Sequence, residues 1–432
     1  MSENAGRPPL HTKRVELPYG DDTLAVDIPA DRLIGVFTPN NVRVVHGVAS
    51  EIRRALANPI GQARLRELAS GRKKVTIVTD DNTRPTPVKD ILPIVLEELQ
   101  CGGIGSRQIR IVIALGTHRP MTEDEIDEKL GASTRKSFEV VNHVFDDDSR
   151  LVAMGVTSNG TPVHVNRLVA ESDFKIGIGS IVPHHIAGFS GGSKIVQPGI
   201  CGAVTTGATH LLATKEPMSY LGEMENLVRR EMDEIARRIG FNTVLNTVLD
   251  RKGRLVQAVF GDIVQAFRRG AETARRVYGV RVPELADVVI AGSHPCDLDF
   301  WQAHKALYAA ARCVNKGGVI ILATPCHEGV ARTHADMVEY AGLEPEVIQN
   351  KLSRGEITDV VAAALAIAWG HVRRRARVLV VSQGIPHSDT RKLGFMPHES
   401  LEGALKVAFR LVGVRARVSV LTHAGDTLPL GL

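Results

Sequence analysis

Two adjacent imidazoles, a run of glycines and one lysine fall close together in Gly177–Gly202, GIGSIVPHHIAGFSGGSKIVQPGICG. His184, His185, Ser190, Gly191, Gly192, Ser193 and Lys194 follow the short apolar run Phe174–Gly179 and read as a loop after a strand. Ionisable side chains gathered on a scaffolded loop are the usual home of chemistry. Successive glycines let backbone N–H groups turn toward an anion, and a following helix start adds to that pull. A lysine with a lowered pKa becomes a nucleophile able to carry a covalent group. The stretch is no nucleotide-binding P-loop, which needs Gly before the lysine and Ser or Thr after it; Ser193 and Ile195 stand there.

Three further clusters share this placement. Asp80, Asp81 and Arg84 lie in DDNTRPTP, where two prolines stiffen the backbone around a guanidinium suited to a carboxylate or phosphate. His118 lies in GTHRPMTEDEI, just before the capping box Thr122–Glu125. Asp297, Trp301, Gln302 and Lys305 lie in PCDLDFWQAHK. Histidines on two different loops, 118 and 184, can act as acid and base on opposite faces of a substrate, as inversion of a stereocentre requires. His210, alone in TTGATHLLATK, reads as structural by itself. With no HExxH, Cys/His zinc spacing or EF-hand loop, a metal cage made by protein side chains alone is not expected.

The elements that must position these residues alternate between strand and helix. Short β-branched runs at Lys74–Thr79, Gln108–Leu115, Phe174–Gly179 and Ala286–Ala291 are each followed by a polar loop, and three of them by a recognisable helix. Val319–Ala323, Arg377–Ser382 and the RVSVLT segment add strands. This rhythm predicts an α/β protein of two α/β domains with largely parallel sheets. Ligands in such sheets bind outside the carboxyl ends of the strands, where all four clusters fall, so an active-site cleft between the domains is expected. The expected division is 1–280 for a cofactor-binding and catalytic domain and 281–410 for a second α/β domain. A tail, 411–432, can return to the first domain. Before the first strand, 1–14 reads as a loose arm, Val15–Ile28 as a hairpin around Gly-Asp-Asp, and Ala49–Ala69 as a helix broken at Pro59.

Composition narrows the partners. The net charge of +5 is spread over 53 basic and 48 acidic residues with 4% aromatics, which does not make a nucleic-acid groove. Arg229–Arg230 and Arg373–Arg377 read as solvated faces. Five scattered cysteines suit a reduced compartment, and neither a signal peptide nor a membrane-spanning run is present, so a cytoplasmic location is expected.

Taken together, DDNTRPTP, GTHRP, PHHIAGFSGGSK, His210 and WQAHK resemble the nickel-dependent lactate racemase family, with its 2-hydroxyacid racemase and epimerase homologues, over nearly the whole chain. The resemblance implies a nickel-pincer nucleotide, a pyridinium-3-thioamide-5-thiocarboxylic acid mononucleotide holding nickel, covalently attached to Lys194. It implies His210 as the protein ligand of the nickel, and contacts to the cofactor from Asp81, Ser190, Gly191 and Gly192. His118 and His184 match the acid/base pair. Arg84, Trp301, Gln302 and Lys305 match the residues facing a small 2-hydroxyacid substrate, with Trp301 standing where the lactate-active pattern has tyrosine. Cofactor-making enzymes are then the implied protein partners. Two other readings of the same residues are a metal-dependent hydrolase and a non-catalytic anion- or cofactor-binding protein.

Overall fold

The computed structural model describes residues 11–216 and 219–432. Two six-stranded sheets organise them, each wrapped by helices. The first runs, edge to edge, Leu255–Asp262, Thr243–Leu249, Phe174–Ser180, Val75–Asp80, Ile109–Ala114, Glu139–Asn142. Only its Thr243–Leu249/Leu255–Asp262 pair is antiparallel. The second, parallel throughout, runs Met396–His398, Arg377–Val381, Val314–Ala323, Ala286–Gly292, Val418–Leu421, Leu33–Phe37. Every residue of Val75–Asp80 and Phe174–Ser180 is buried, so both faces of these strands are covered and their burial does not alternate.

Chain order does not divide the molecule as expected. Leu33–Phe37 is the edge strand of the second sheet, and Val15, Leu17, Val26 and Ile28 of the N-terminal hairpin pack on Val288, Ile290, Val319 and Ile321. The beginning of the chain thus belongs with the second unit, not with 1–280. The tail divides: Val418–Leu421 lies inside the second sheet, whereas Leu428–Leu430 pairs with Gly279–Arg281 at the end of the expected first domain. Alternating burial in the hairpin shows that one face is covered, but a strand's pattern does not name its partner. Of the arm read at 1–14, residues 1–10 lie outside the described residues, and the first strand already begins at Thr12.

Helices at Val360–Arg375, Lys305–Cys313 and Leu401–Val412 cover the second sheet. The arginines at the end of Val360–Arg375 are not all solvated. Arg373 donates to the carbonyls of Ala341, Leu343 and Leu393, and Arg375 to those of Ala311 and Val314. No helix among the described residues is long and apolar enough to cross a membrane.

Candidate active site

The carboxyl ends of Val75–Asp80, Ile109–Ala114 and Phe174–Ser180 meet the loop after Ala286–Gly292 around one cavity of about 110 Å³. Asp81, Arg84, His118, His184, Ser190, Gly191, Lys194, His210, Trp301, Gln302 and Lys305 all line it. Gly192 does not: it packs against Phe267, and its N–H donates to Asn246 Oδ1 at 2.9 Å. Asp297 stands outside too, bonded to His294 at 2.9 Å.

The two histidines are held in opposite hydrogen patterns. His118 Nδ1–H donates to Asp81 Oδ2 at 2.6 Å, and its Nε2 accepts from the Gln302 amide at 3.0 Å. These partners assign the tautomer with a lone pair at Nε2. Burial pulls the Asp81 carboxyl upward, but His118, Arg84 and the Thr83 hydroxyl outweigh it and hold the pKa well below the usual range. His184 Nδ1 instead accepts the N–H groups of Ile186 and Ala187 at 3.2 and 3.4 Å, which leaves the hydrogen on Nε2. Its ring stacks on His185 at 4.7 Å, and His185 stacks on Tyr308 at 4.2 Å. Burial first, then the neighbouring Lys194, push His184 well below its ordinary pKa and favour the neutral ring.

Lys194 rides a one-turn helix, Gly192–Ile195, too short to present a dipole to an anion. The turn before it requires glycine: Gly191 has φ +79°, and a Cβ there would lie 2.5 Å from Ile181. The cradle expected from these glycines is largely spent within the protein. Ser190 N–H donates to Val182 O, Lys194 N–H to Gly191 O, and Ser193 Oγ to Asp233 at 2.6 Å. The Lys194 amine makes no hydrogen bond or ion pair among the described residues. Burial, then Arg84, Lys305 and Arg229, drive its pKa far down against Asp81 and favour the neutral amine over the ammonium.

His210 sits on the helix Ala203–Ala213, where Nδ1–H donates to Thr206 O at 2.8 Å and leaves the Nε2 lone pair open. Burial takes its pKa to about 4 against that carbonyl. Arg84 spends Nη1 on Thr83 O and Oγ1, each at 3.0 Å. Lys305 Nζ donates to Gln302 Oε1, and burial followed by Arg84 brings its pKa to about 8. The Trp301 indole lies flat on His334 at 4.0 Å.

Over these features the chain is matched end to end by known proteins. Residues 19–222 match the lactate racemase N-terminal domain, and residues 282–425 match the lactate racemase C-terminal domain. The chain belongs to the lactate racemase family. It is 33% identical to the lactate racemase of Lactiplantibacillus plantarum over 419 residues, and 30% identical to that of Thermoanaerobacterium thermosaccharolyticum over 414. Each alignment covers 94% of this chain and 97% of the relative. The solved lactate racemase apoprotein from T. thermosaccharolyticum superposes with a TM-score of 0.87 at 28% identity, covering 97% of this chain and all of that one. A Thermotoga maritima protein, 20% identical with a TM-score of 0.70 over 88% of this chain and 98% of its own, shares the fold.

Sequence reasoning missed several residues around the site. Asn246, Thr206, Met232 and Leu365 line the cavity without any local motif. His334, bonded to Asp359 Oδ2 at 2.6 Å and to Thr117 Oγ1 at 3.0 Å, backs Trp301 from a segment with no distinguishing signal. Arg229, expected on a solvated face, is 1% exposed beneath the glycine loop.

Proposed function

We propose that this chain is a cytoplasmic racemase or epimerase that inverts C2 of a 2-hydroxycarboxylic acid, with a nickel-pincer nucleotide attached to Lys194. The observation that carries the reading is the pair of imidazoles on one cavity, one offering a lone pair and the other an N–H. Both named relatives are lactate racemases, which supports this reaction class. Trp301 in place of the tyrosine of the lactate-active pattern favours a different 2-hydroxyacid.

The residues fit such a group. An unpartnered amine whose pKa burial lowers is suited to a thioamide link at Lys194. His210, oriented by Thr206, offers one imidazole nitrogen to a metal. Lys194 and His210 would hold the group, and the chemistry it would supply when bound is a reversible hydride acceptor for C2.

The chain's own part is to place the substrate and move its hydroxyl proton. The unbonded N–H groups of Arg84, with the Lys305 ammonium, hold the carboxylate. His118, oriented by Asp81, takes the hydroxyl proton on Nε2 once the Gln302 amide gives up that lone pair, and the carboxylate stabilises the imidazolium that forms. His184, charged for that step by a second proton on Nδ1, would give its Nε2 proton to the product oxygen, so that no imidazolate is left. That second proton requires Nδ1 to give up the two long amide bonds, and in the reverse direction the roles exchange. Trp301, Gln302 and Lys305 close the cavity from the second unit and exclude water.

Expression with the cofactor-making enzymes tests this. His118→Ala and His184→Ala should each lower racemisation of a D-2-hydroxyacid panel by roughly 10²–10⁴ while intact mass still shows the Lys194 adduct. Lys194→Ala should abolish the adduct. Undiminished activity in both histidine variants, or an adduct surviving in Lys194→Ala, overturns the assignment.

A further inference from the structure

Arg229 is a buried cation near the site to which the proposed reaction gives no task. It sits on the helix Leu227–Arg238, 1% exposed, with its guanidinium 4.0 Å over the Phe267 ring. No carboxylate pairs with it at salt-bridge distance among the described residues. Burying an arginine without such a partner is expensive, and its Nε is left without a hydrogen bond. A cost of this kind is retained where the group does something.

Its hydrogen bonds show what. Nη1 donates to Gly191 O at 3.0 Å; Nη2 donates to Ala187 O at 3.3 Å and to Phe189 O. Gly191 O also accepts the Lys194 N–H, closing the turn that carries the lysine. Ala187 is the residue whose own N–H donates to His184 Nδ1. Between them, Phe189 belongs to the two-residue strand paired with Pro183–His184. One planar guanidinium therefore ties the turn that sets the His184 ring to the turn that sets the Lys194 side chain.

We propose that Arg229 is a positioning residue that holds His184 and Lys194 in one rigid unit, aligning the attachment point with the acid/base group by gripping three carbonyls of the intervening loop. The proposal rests on the functional reading above only for the roles of those two residues. Asp233, one helical turn on, and Asn246 brace the same loop through Ser193 Oγ and the Gly192 N–H. A lysine at 229 would keep the charge but present a point donor, unable to span three carbonyls from one plane.

The test uses the full-length apoprotein. Arg229→Ala and Arg229→Lys are compared with wild type by amide hydrogen exchange across 186–194 and by the rate at which trinitrobenzenesulfonate labels Lys194, with exposed Lys13 and Lys316 as internal standards. Exchange in the loop should accelerate in both variants while the two sheets stay protected. Lys194 labelling should change by about tenfold or more relative to the standards, since small displacements of a reacting group carry costs of that size. Millimolar guanidinium, but not ammonium, should restore both readings in Arg229→Ala. Wild-type exchange in a folded variant, or no restoration by guanidinium, overturns the proposal. Should the alanine variant not fold, Arg229→Lys alone decides, and wild-type exchange and labelling in it count against the role. Absence of an adduct on Lys194 in the loaded wild type would instead remove the functional reading, and the exchange measurement would still judge Arg229.

Discussion

Lys305 and Arg84 face the same cavity, and the Arg84 charge makes the Lys305 ammonium harder to keep. Burial and Arg84 bring Lys305 to about 8, from an ordinary lysine value near 10.5. The ammonium is therefore present below about pH 8 and lost above it. If it holds the substrate carboxylate, KM should rise by roughly tenfold as pH climbs from 7 to 9.5, the worth of a charge-assisted hydrogen bond. Lys305→Met should show the high KM throughout and no such pH dependence. Steady-state kinetics on both proteins check this, and a flat wild-type KM counts against the role. Residue identity made this site readable: His118, His184, Lys194 and Arg84 announce themselves by type and loop placement. Arg229 did not, because a basic residue in an amphipathic helix looks the same whether it meets water or a loop's carbonyls.

Between elements, the tripeptide Thr117–Arg119 is where the two sheets are joined across the cavity. Arg119 bonds Glu328 of the second unit through Nε at 3.0 Å and Nη2 at 2.8 Å, and Glu125 of its own unit at 2.8 and 2.7 Å. Thr333 Oγ1 donates to Thr117 O at 2.7 Å. His118 stands between these contacts and takes the Gln302 amide. The contacts joining the two units and the placement of His118 thus rest on one tripeptide. Arg119→Met and Glu328→Gln should each lower kcat several-fold, and the double variant should be no worse than the poorer single one, since both remove the same bond pair. Fluorescence energy transfer between dyes on the two units should report a wider separation in all three. Additive losses with unchanged separation would show that the contact is incidental. The capping box at Thr122, formed as expected with the Glu125 amide donating to Thr122 Oγ1 at 3.3 Å, explains why this loop ends where it does.

For the whole molecule, buried neutral imidazoles set the acid limit. Burial brings His143 to about 4 and His304 to about 3. The unfolded chain binds those protons near pH 6.5 while the folded one refuses them. Stability is therefore full above about pH 6.5 and falls as pH drops toward 4, by about 1.4 kcal/mol per pH unit for each such histidine. Thermal unfolding of the apoprotein should show Tm declining from pH 7 to 5, before most carboxylates titrate; a Tm flat over that range would refute it. At this scale the sequence settled the class of fold and the edge on which the chemistry lies. Strand–helix alternation and polar residues after each apolar run are local facts, written in neighbouring residues. What it left open was membership: the hairpin Thr12–Pro29 and the strand Leu33–Phe37 join a sheet whose neighbouring strand, Val418–Leu421, comes at the far end of the chain. Side-chain environment was equally open, since Arg229 is charged in water and bound to carbonyls in the fold. Pairing and burial arise from contacts between segments hundreds of residues apart, and only the packed molecule brings those segments together.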